Sequence, residues 1–414
     1  MFSIFKKLGP GLLFAGAAIG VSHIVQSTRA GADFGLGLLW ALLLVHIFKY
    51  PFFQFGAKYA AATGESLIHG YYKLGKGVLI TYFILNIATI FTIQTAVTIV
   101  TAGIANTLFG DISFLNYGNL KVLSIEIWTV IILSICLFIL FVGKYKALDK
   151  IIKVIILILT VSTLIAVYFA YDNFNQTLNF SQILPKTPIE IAFLVAFMGW
   201  MPAPLDVSVW QSIWAVEKKK EKNSFTPKVA LLDFNIGYFG AMFLGIGFIC
   251  LGYFVMYSYK TPFSTQATLF ASQLIDVYTS SLGQWSYIII GIAVLTTMFS
   301  TTLTTLDASP RAMATSIEVL TQKKHKNGYL FWILTLTIGT LIIFFAFASE
   351  MGILIKIATI LSFITTPFYA YINYILICSE HTPLKWRPKI ALRILSWAGI
   401  VFLIGFSAWY LSIL

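Results

Sequence analysis

Apolar runs of about 20 residues or more recur from one end of this chain to the other, joined by loops too short to hold a soluble domain. That recurrence makes lipid the solvent. In hydrocarbon every backbone amide and carbonyl must be satisfied inside the chain, so the spanning elements are helices and the fold class is an all-α integral membrane protein. Composition agrees: of 414 residues, 58% are hydrophobic and 11% charged, and the mean hydropathy is +0.86. Reading apolar runs between charged loops places about eleven spans, near 9–28, 34–57, 77–107, 121–143, 150–171, 189–215, 228–258, 283–306, 329–348, 352–378 and 391–413. Residues 1–414 read as one membrane domain.

The formal charge of +12 is distributed between the runs rather than clustered on a folded aqueous surface, which argues for topology and against nucleic acid. Lys6 and Lys7, Lys58 with Lys73 and Lys76, Lys144 and Lys146, Lys218 to Lys220 with Lys222, Lys323, Lys324 and Lys326, and Lys385, Arg387 and Lys389 fall on one side. The intervening loops carry few cations. The positive-inside rule therefore predicts an inner, plasma-membrane protein with a cytoplasmic N-terminus and an outside C-terminus. No small-residue cleavage site follows Lys6 and Lys7, so the first run is expected to remain as a span. Cys136, Cys250 and Cys378 lie in apolar runs without metal-type spacing and read as structural thiols. The basic stretch Glu217 to Lys222 could also touch anionic lipid headgroups.

Two spans contain breakers that a simple anchor does not need. Span one carries Gly9-Pro10-Gly11 and then Gly16-Ala17-Ala18-Ile19-Gly20-Val21-Ser22-His23; span six carries Met198-Gly199-Trp200-Met201-Pro202-Ala203-Pro204-Leu205-Asp206. Prolines remove amide donors and clash with the preceding turn, and freed carbonyls in hydrocarbon need protein, water or an ion. One such segment would read as a packing kink admitting a neighbouring helix. Two, five spans apart, invert the second relative to the first, which predicts two inverted five-span repeats (about 9–172 and 188–378), an extra helix at 391–413, and a substrate held between the broken helices.

The chain resembles the natural resistance-associated macrophage protein (NRAMP) family of divalent-metal transporters in Gly9-Pro10-Gly11, in Ala30-Gly31-Ala32-Asp33-Phe34-Gly35 with Leu38-Leu39-Trp40, and in Gln54 through Ala62-Thr63-Gly64-Glu65-Ser66-Leu67. The likeness continues in Met201-Pro202 and in Leu361-Ser362-Phe363 with Pro367-Phe368. The resemblance implies the LeuT-type fold and alternating access around a central site. It also marks departures. Gly20, Val21, Ser22 and His23 stand where the family has the metal-binding Asp-Pro-Gly-Asn, and Ala203 stands where it has the histidine after Met-Pro. Asn86, Thr89, Thr92, Gln94 and Thr95 stand where span three has acids for protons.

The remaining candidates divide between binding and structure. Met201 and His23 could form part of a metal shell, thioether and imidazole suiting late transition metals, with carbonyls near Met198 and Ala17 completing it; equally, the methionine could pack and the histidine bond a carbonyl. Asp206 is an intramembrane acid, hence a substrate or coupling candidate, or a cap on the half-helix after Pro204. Asp233 and Asn235 open span seven and are candidates for coupling or gating, with Asp206, Asp307 and Thr301. Asp307 ends the hydroxyl tract Ser300-Thr301-Thr302-Leu303-Thr304-Thr305, which could ligate sodium; the bland alternative is interhelical bonding by the tract and an Asp307 to Arg311 pair. Lys356 is expected to snorkel, and Glu126 and Lys49 to sit near span ends.

These features point to a secondary transporter for a divalent cation, or for another small solute on the same fold, coupled to protons or sodium. No cofactor, nucleic acid or obligate protein partner is expected. No HExxH, GxSxG or phosphate loop suggests an enzyme, and broken inverted helices favour a carrier over a channel.

Overall fold

Helices satisfy nearly all of the backbone in the computed structural model, which describes residues 9–112, 116–117, 120–121, 124–221, 225–257, 264, 266–347 and 351–412. Span one comprises α1 (Pro10–Ala18), a π-helical turn (Val21–Ser27) and α2 (Thr28–Phe34); α3 (Leu39–Thr63), α4 (Leu67–Leu74), α5 (Lys76–Phe109) and α6 (Ser124–Asp172) follow. Span six is divided into α7 (Pro188–Trp200) and α8 (Val207–Glu221). Beyond it come α9 (Pro227–Val255), α10 (Ala267–Leu282), α11 (Tyr287–Thr321), α12 (Gly328–Phe347), α13 (Met351–Cys378) and α14 (Ile390–Leu411). A two-stranded antiparallel pair, β1 (Asn116–Tyr117) and β2 (Leu120–Lys121), sits between α5 and α6.

Among the described residues ten stretches are long and apolar enough to cross a membrane, two of them within α6. The divided span α7–α8 brings the architecture to the expected eleven. Large apolar side chains such as Phe138, Leu157, Phe243, Ile342 and Val401 face outward, as a lipid-solvated surface requires. Some boundaries move. The second span starts at Leu39 rather than near 34, because Phe34 ends α2 and Gly35 turns the chain at a φ of 60°. Helix α11 continues well past residue 306, since Asp307 and Arg311 neutralise one another inside it. The short α10, between spans seven and eight, was not apparent from the apolar runs. Lys6, Lys7 and Lys222 lie outside the described residues, as do the side chains of Lys144 and Lys146.

Helix starts are chemically marked. Thr187 and Glu190 form a capping box on α7, with Pro188 in the first turn, so two otherwise orphaned amides are satisfied reciprocally. Helix α9 fastens both halves of the broken first span. A Cβ at Gly237 would lie 2.0 Å from the Gly11 carbonyl oxygen, and one at Gly252 would lie 2.0 Å from that of Thr28. Only glycine admits backbones so close, and the two contacts flank the break.

Gly237→Ala should therefore lower the Tm of the purified protein, since overpacking of this kind costs about 1–3 kcal/mol. Gly240→Ala, where nothing lies within 4 Å of the added carbon, should change it little. Thermal unfolding followed by size-exclusion chromatography checks both.

Candidate functional site

Breaking α1 after Ala18 frees carbonyls at Gly16, Ala18 and Ile19, and side chains supply the missing donors. Thr301 Oγ1 lies 3.2 Å from the Gly16 oxygen and 3.5 Å from that of Ile19. Ser22 Oγ donates to the Ala18 oxygen at 2.6 Å, and His23 Nδ1 lies 2.9 Å from the same atom. The other ring nitrogen, Nε2, faces the Ala241 carbonyl at 3.0 Å. Gly20 makes the arrangement possible: a Cβ there would lie 2.5 Å from Thr301 Oγ1. Four of the residues singled out in sequence, Gly20, Ser22, His23 and Thr301, thus meet at one break, and α11 reaches it because glycine leaves room.

The second break is satisfied differently. Lys49 Nζ donates to the carbonyls of Gly199 at 2.7 Å, Met198 at 2.9 Å and Met201 at 3.0 Å, with that of Ala203 at 3.4 Å. An ammonium has three protons, and three of these distances are those of charge-assisted bonds. The expectation that Lys49 sits near a span end is incorrect. It lies inside α3, is fully buried, and points across to the C-terminal end of α7, where the helix dipole favours a cation. Its signal was an isolated charge in mid-run, which loop-based charge counting passes over.

Asp206 precedes α8 and is 4% exposed. It faces the amides of Asp206 and Val207, yet neither carboxylate oxygen makes a hydrogen bond of normal geometry among the described residues. It lies within electrostatic reach of Lys49 and of the buried phenols Tyr71, Tyr82 and Tyr369. The two breaks are linked by Ser22 Oγ, 3.4 Å from the Pro202 carbonyl. Between them is a small space of about 20 Å³, lined among others by Ala17, Ser22, Trp200, Pro204, Trp210 and Thr305. That is room for about one water.

The other expected residues fall outside this centre. Asp233 accepts from the amides of Gly9, at 3.0 Å, and Gly11, at 2.7 Å, capping the start of the first span. Asn235 Oδ1 accepts from Tyr50, which in turn accepts from Gln54. Asp307 pairs with Arg311 at 2.8 Å and accepts from Tyr329 at 2.9 Å, the structural alternative. Lys356 is exposed and lines an outer cavity of about 280 Å³ with Gln26, Arg29 and Phe193.

Of the candidate metal donors, Met201 is fully buried, the carbonyls of Met198, Gly199 and Met201 accept from Lys49, and both His23 nitrogens face backbone oxygens. Among the described residues no group of three or more His, Cys, Asp or Glu could hold a metal ion.

Three comparisons bear on this geometry. An uncharacterized protein of Pasteurella multocida is 34% identical over 99% of this chain and 93% of its own length. Among solved structures, the Eremococcus coleocola manganese transporter superposes with a TM-score of 0.73 at 14% identity, covering 98% of this chain and 86% of that one. MhsT, solved with L-phenylalanine, gives 0.63 at 12% identity over 96% and 98% of the two chains. Mhp1, a nucleobase-cation-symport-1 family transporter, gives 0.58 at 15% over 97% and 92%. These likenesses show the LeuT-type fold. The family model for natural resistance-associated macrophage protein-like chains matches residues 11–412, and this chain belongs to that family.

Proposed function

We propose that the protein is a secondary carrier moving a divalent metal ion across the membrane by alternating access, with cargo held between the two breaks. The observation that carries this reading is their placement: they face each other across a small space lined by residues of both. Separate cavities of about 280 Å³ and about 790 Å³ lie elsewhere, the second lined by Glu65, His69, Glu217 and Glu318. Two broken helices meeting at a small central space is the arrangement that alternating access uses in carriers of this architecture. Family membership and the retained Met201 support a metal cargo.

The Met201 thioether and the carbonyls of Met198 and Ala17 would form the ligand shell; His23 would join only by leaving Ala241. Lys49 constrains the sequence of events. A divalent ion about 4 Å from its ammonium would be repelled by roughly 8 kcal/mol at an effective dielectric of about 20. Metal entry therefore requires Lys49 to withdraw, and Asp206 is the nearby opposite charge. Coupling to protons or sodium would act through these groups and the Thr301 tract, with the Asp233 cap released when α1 moves.

A second reading has specific support. The ammonium at the break and the cations Arg29 and Lys356 in the outer cavity would attract a small organic anion on the same fold. Uptake separates the two readings. Saturable manganese uptake into proteoliposomes, reduced about 10-fold in kcat/KM by Met201→Ala, a loss of about 1.4 kcal/mol, is expected for a metal carrier. Folded wild-type protein taking up no manganese, magnesium or calcium under pH or sodium gradients would contradict it.

By the positive-inside expectation, His325 lies in the cytoplasm and Asp172 outside. With Cys136, Cys250 and Cys378 replaced by alanine, His325→Cys should react with an impermeant maleimide only after the membrane is opened. Asp172→Cys should react in intact cells, and the reverse pattern would invert the topology.

A further inference from the structure

Most of the freed carbonyls at the span-six break do not await an ion from solution. They converge on one point, and the chain has placed a positive charge there. The cage is assembled from the last turn of α7, at Met198 and Gly199, and from the extended backbone through Met201 and Ala203. A half-helix C-terminal end with unwound carbonyls beyond it is the kind of backbone that coordinates ions in carriers of this architecture. Three oxygens stand 2.7–3.0 Å from the nitrogen, wider than the 2.3–2.6 Å of calcium or the 2.0–2.1 Å of magnesium. That spacing suits a large, weakly hydrated monovalent cation such as ammonium or potassium.

We propose that the span-six break is a monovalent-cation site whose occupant is the tethered ammonium of Lys49, so that the chain supplies its own ion and a free monovalent cation takes the site when the side chain is removed. The site is buried: Lys49, Met198 and Met201 are all 0% exposed. Asp206, nearly buried and without a normal hydrogen bond, provides the balancing negative charge within electrostatic reach. Leaving such a cage empty strands several carbonyls in low dielectric, which is costly. The tether removes that cost without an external ion and keeps α3 against the break. This goes beyond the proposed cargo, since it concerns the resting occupant of the cage and holds whichever solute is carried.

The test needs no cargo, so its failure and that of the metal reading are separable. Wild type, Lys49→Ala and Lys49→Met are purified in lipid nanodiscs, and their Tm is measured in choline, sodium, potassium, ammonium and methylammonium chlorides at one ionic strength. Wild type should show the same Tm in all five. Lys49→Ala should be destabilised in choline and recover most of the lost Tm, saturably, in potassium, ammonium or methylammonium. Lys49→Met, which fills the space without a charge, should recover little. Asp206→Asn added to Lys49→Ala should weaken the recovery several-fold in apparent affinity. Should Lys49→Ala aggregate in choline, purification with potassium or ammonium present throughout should return it monodisperse. A Lys49→Ala protein as stable as wild type in choline, equally destabilised in every salt, or aggregated in all of them overturns the proposal.

Discussion

The ammonium of Lys49, held by the carbonyls of Met198, Gly199 and Met201, is the interaction on which the middle of this molecule depends. A helix stopped inside hydrocarbon leaves its last carbonyls without amide partners, and each one left unmet costs about 1–3 kcal/mol. One side chain from α3 meets three of them and approaches a fourth. Because the donor is charged and rooted in a neighbouring helix, it fixes the spacing between α3 and the end of α7 as well as satisfying the backbone. Trp200 adds a second anchor, its indole nitrogen donating to Ser362 on α13.

The two breaks are satisfied by different chemistry. At span one the donors are neutral hydroxyls and an imidazole, from Thr301, Ser22 and His23; at span six the donor is a cation. Span one is also clamped from outside by α9, whose Gly237 and Gly252 meet it on either side of the break while Asp233 caps its first turn. A cargo entering between the breaks must exchange with these internal partners. Exchange with neutral hydroxyls asks little, since a hydrogen bond replaced by another changes the free energy only modestly. Exchange next to Lys49 asks for a charge to move, and so ties cargo entry to the position of that side chain.

The sequence made the architecture legible because lipid enforces it. Apolar runs had to be helices, alternating basic loops set their count, and the proline and glycine clusters at Met201-Pro202-Ala203-Pro204 and Gly16 to Gly20 marked both interruptions. The same logic brought Gly20, Ser22, His23, Met198, Met201 and Asp206 to attention. What it did not reveal was pairing across the fold. Lys49 is one cation in an apolar run, and nothing local distinguishes a snorkelling lysine from one aimed inward; only the approach of α3 to α7 decides it. Asp233 likewise is a coupling candidate by sequence, and its carboxylate accepts from the amides of Gly9 and Gly11, 224 and 222 positions away. Thr301 is a candidate sodium ligand by sequence, and its hydroxyl faces the backbone of span one. Long-range partners of polar groups are set by tertiary packing, to which sequence spacing is blind.

The most direct measurement is a high-resolution cryo-electron microscopy reconstruction of the protein in lipid nanodiscs, prepared once in choline and once in sodium, without cargo. The account predicts the Lys49 amine within hydrogen-bond distance of the Met198, Gly199 and Met201 carbonyls in both. A lysine turned away from the break, with an ion bound by those carbonyls in sodium and the break rearranged in choline, would contradict it.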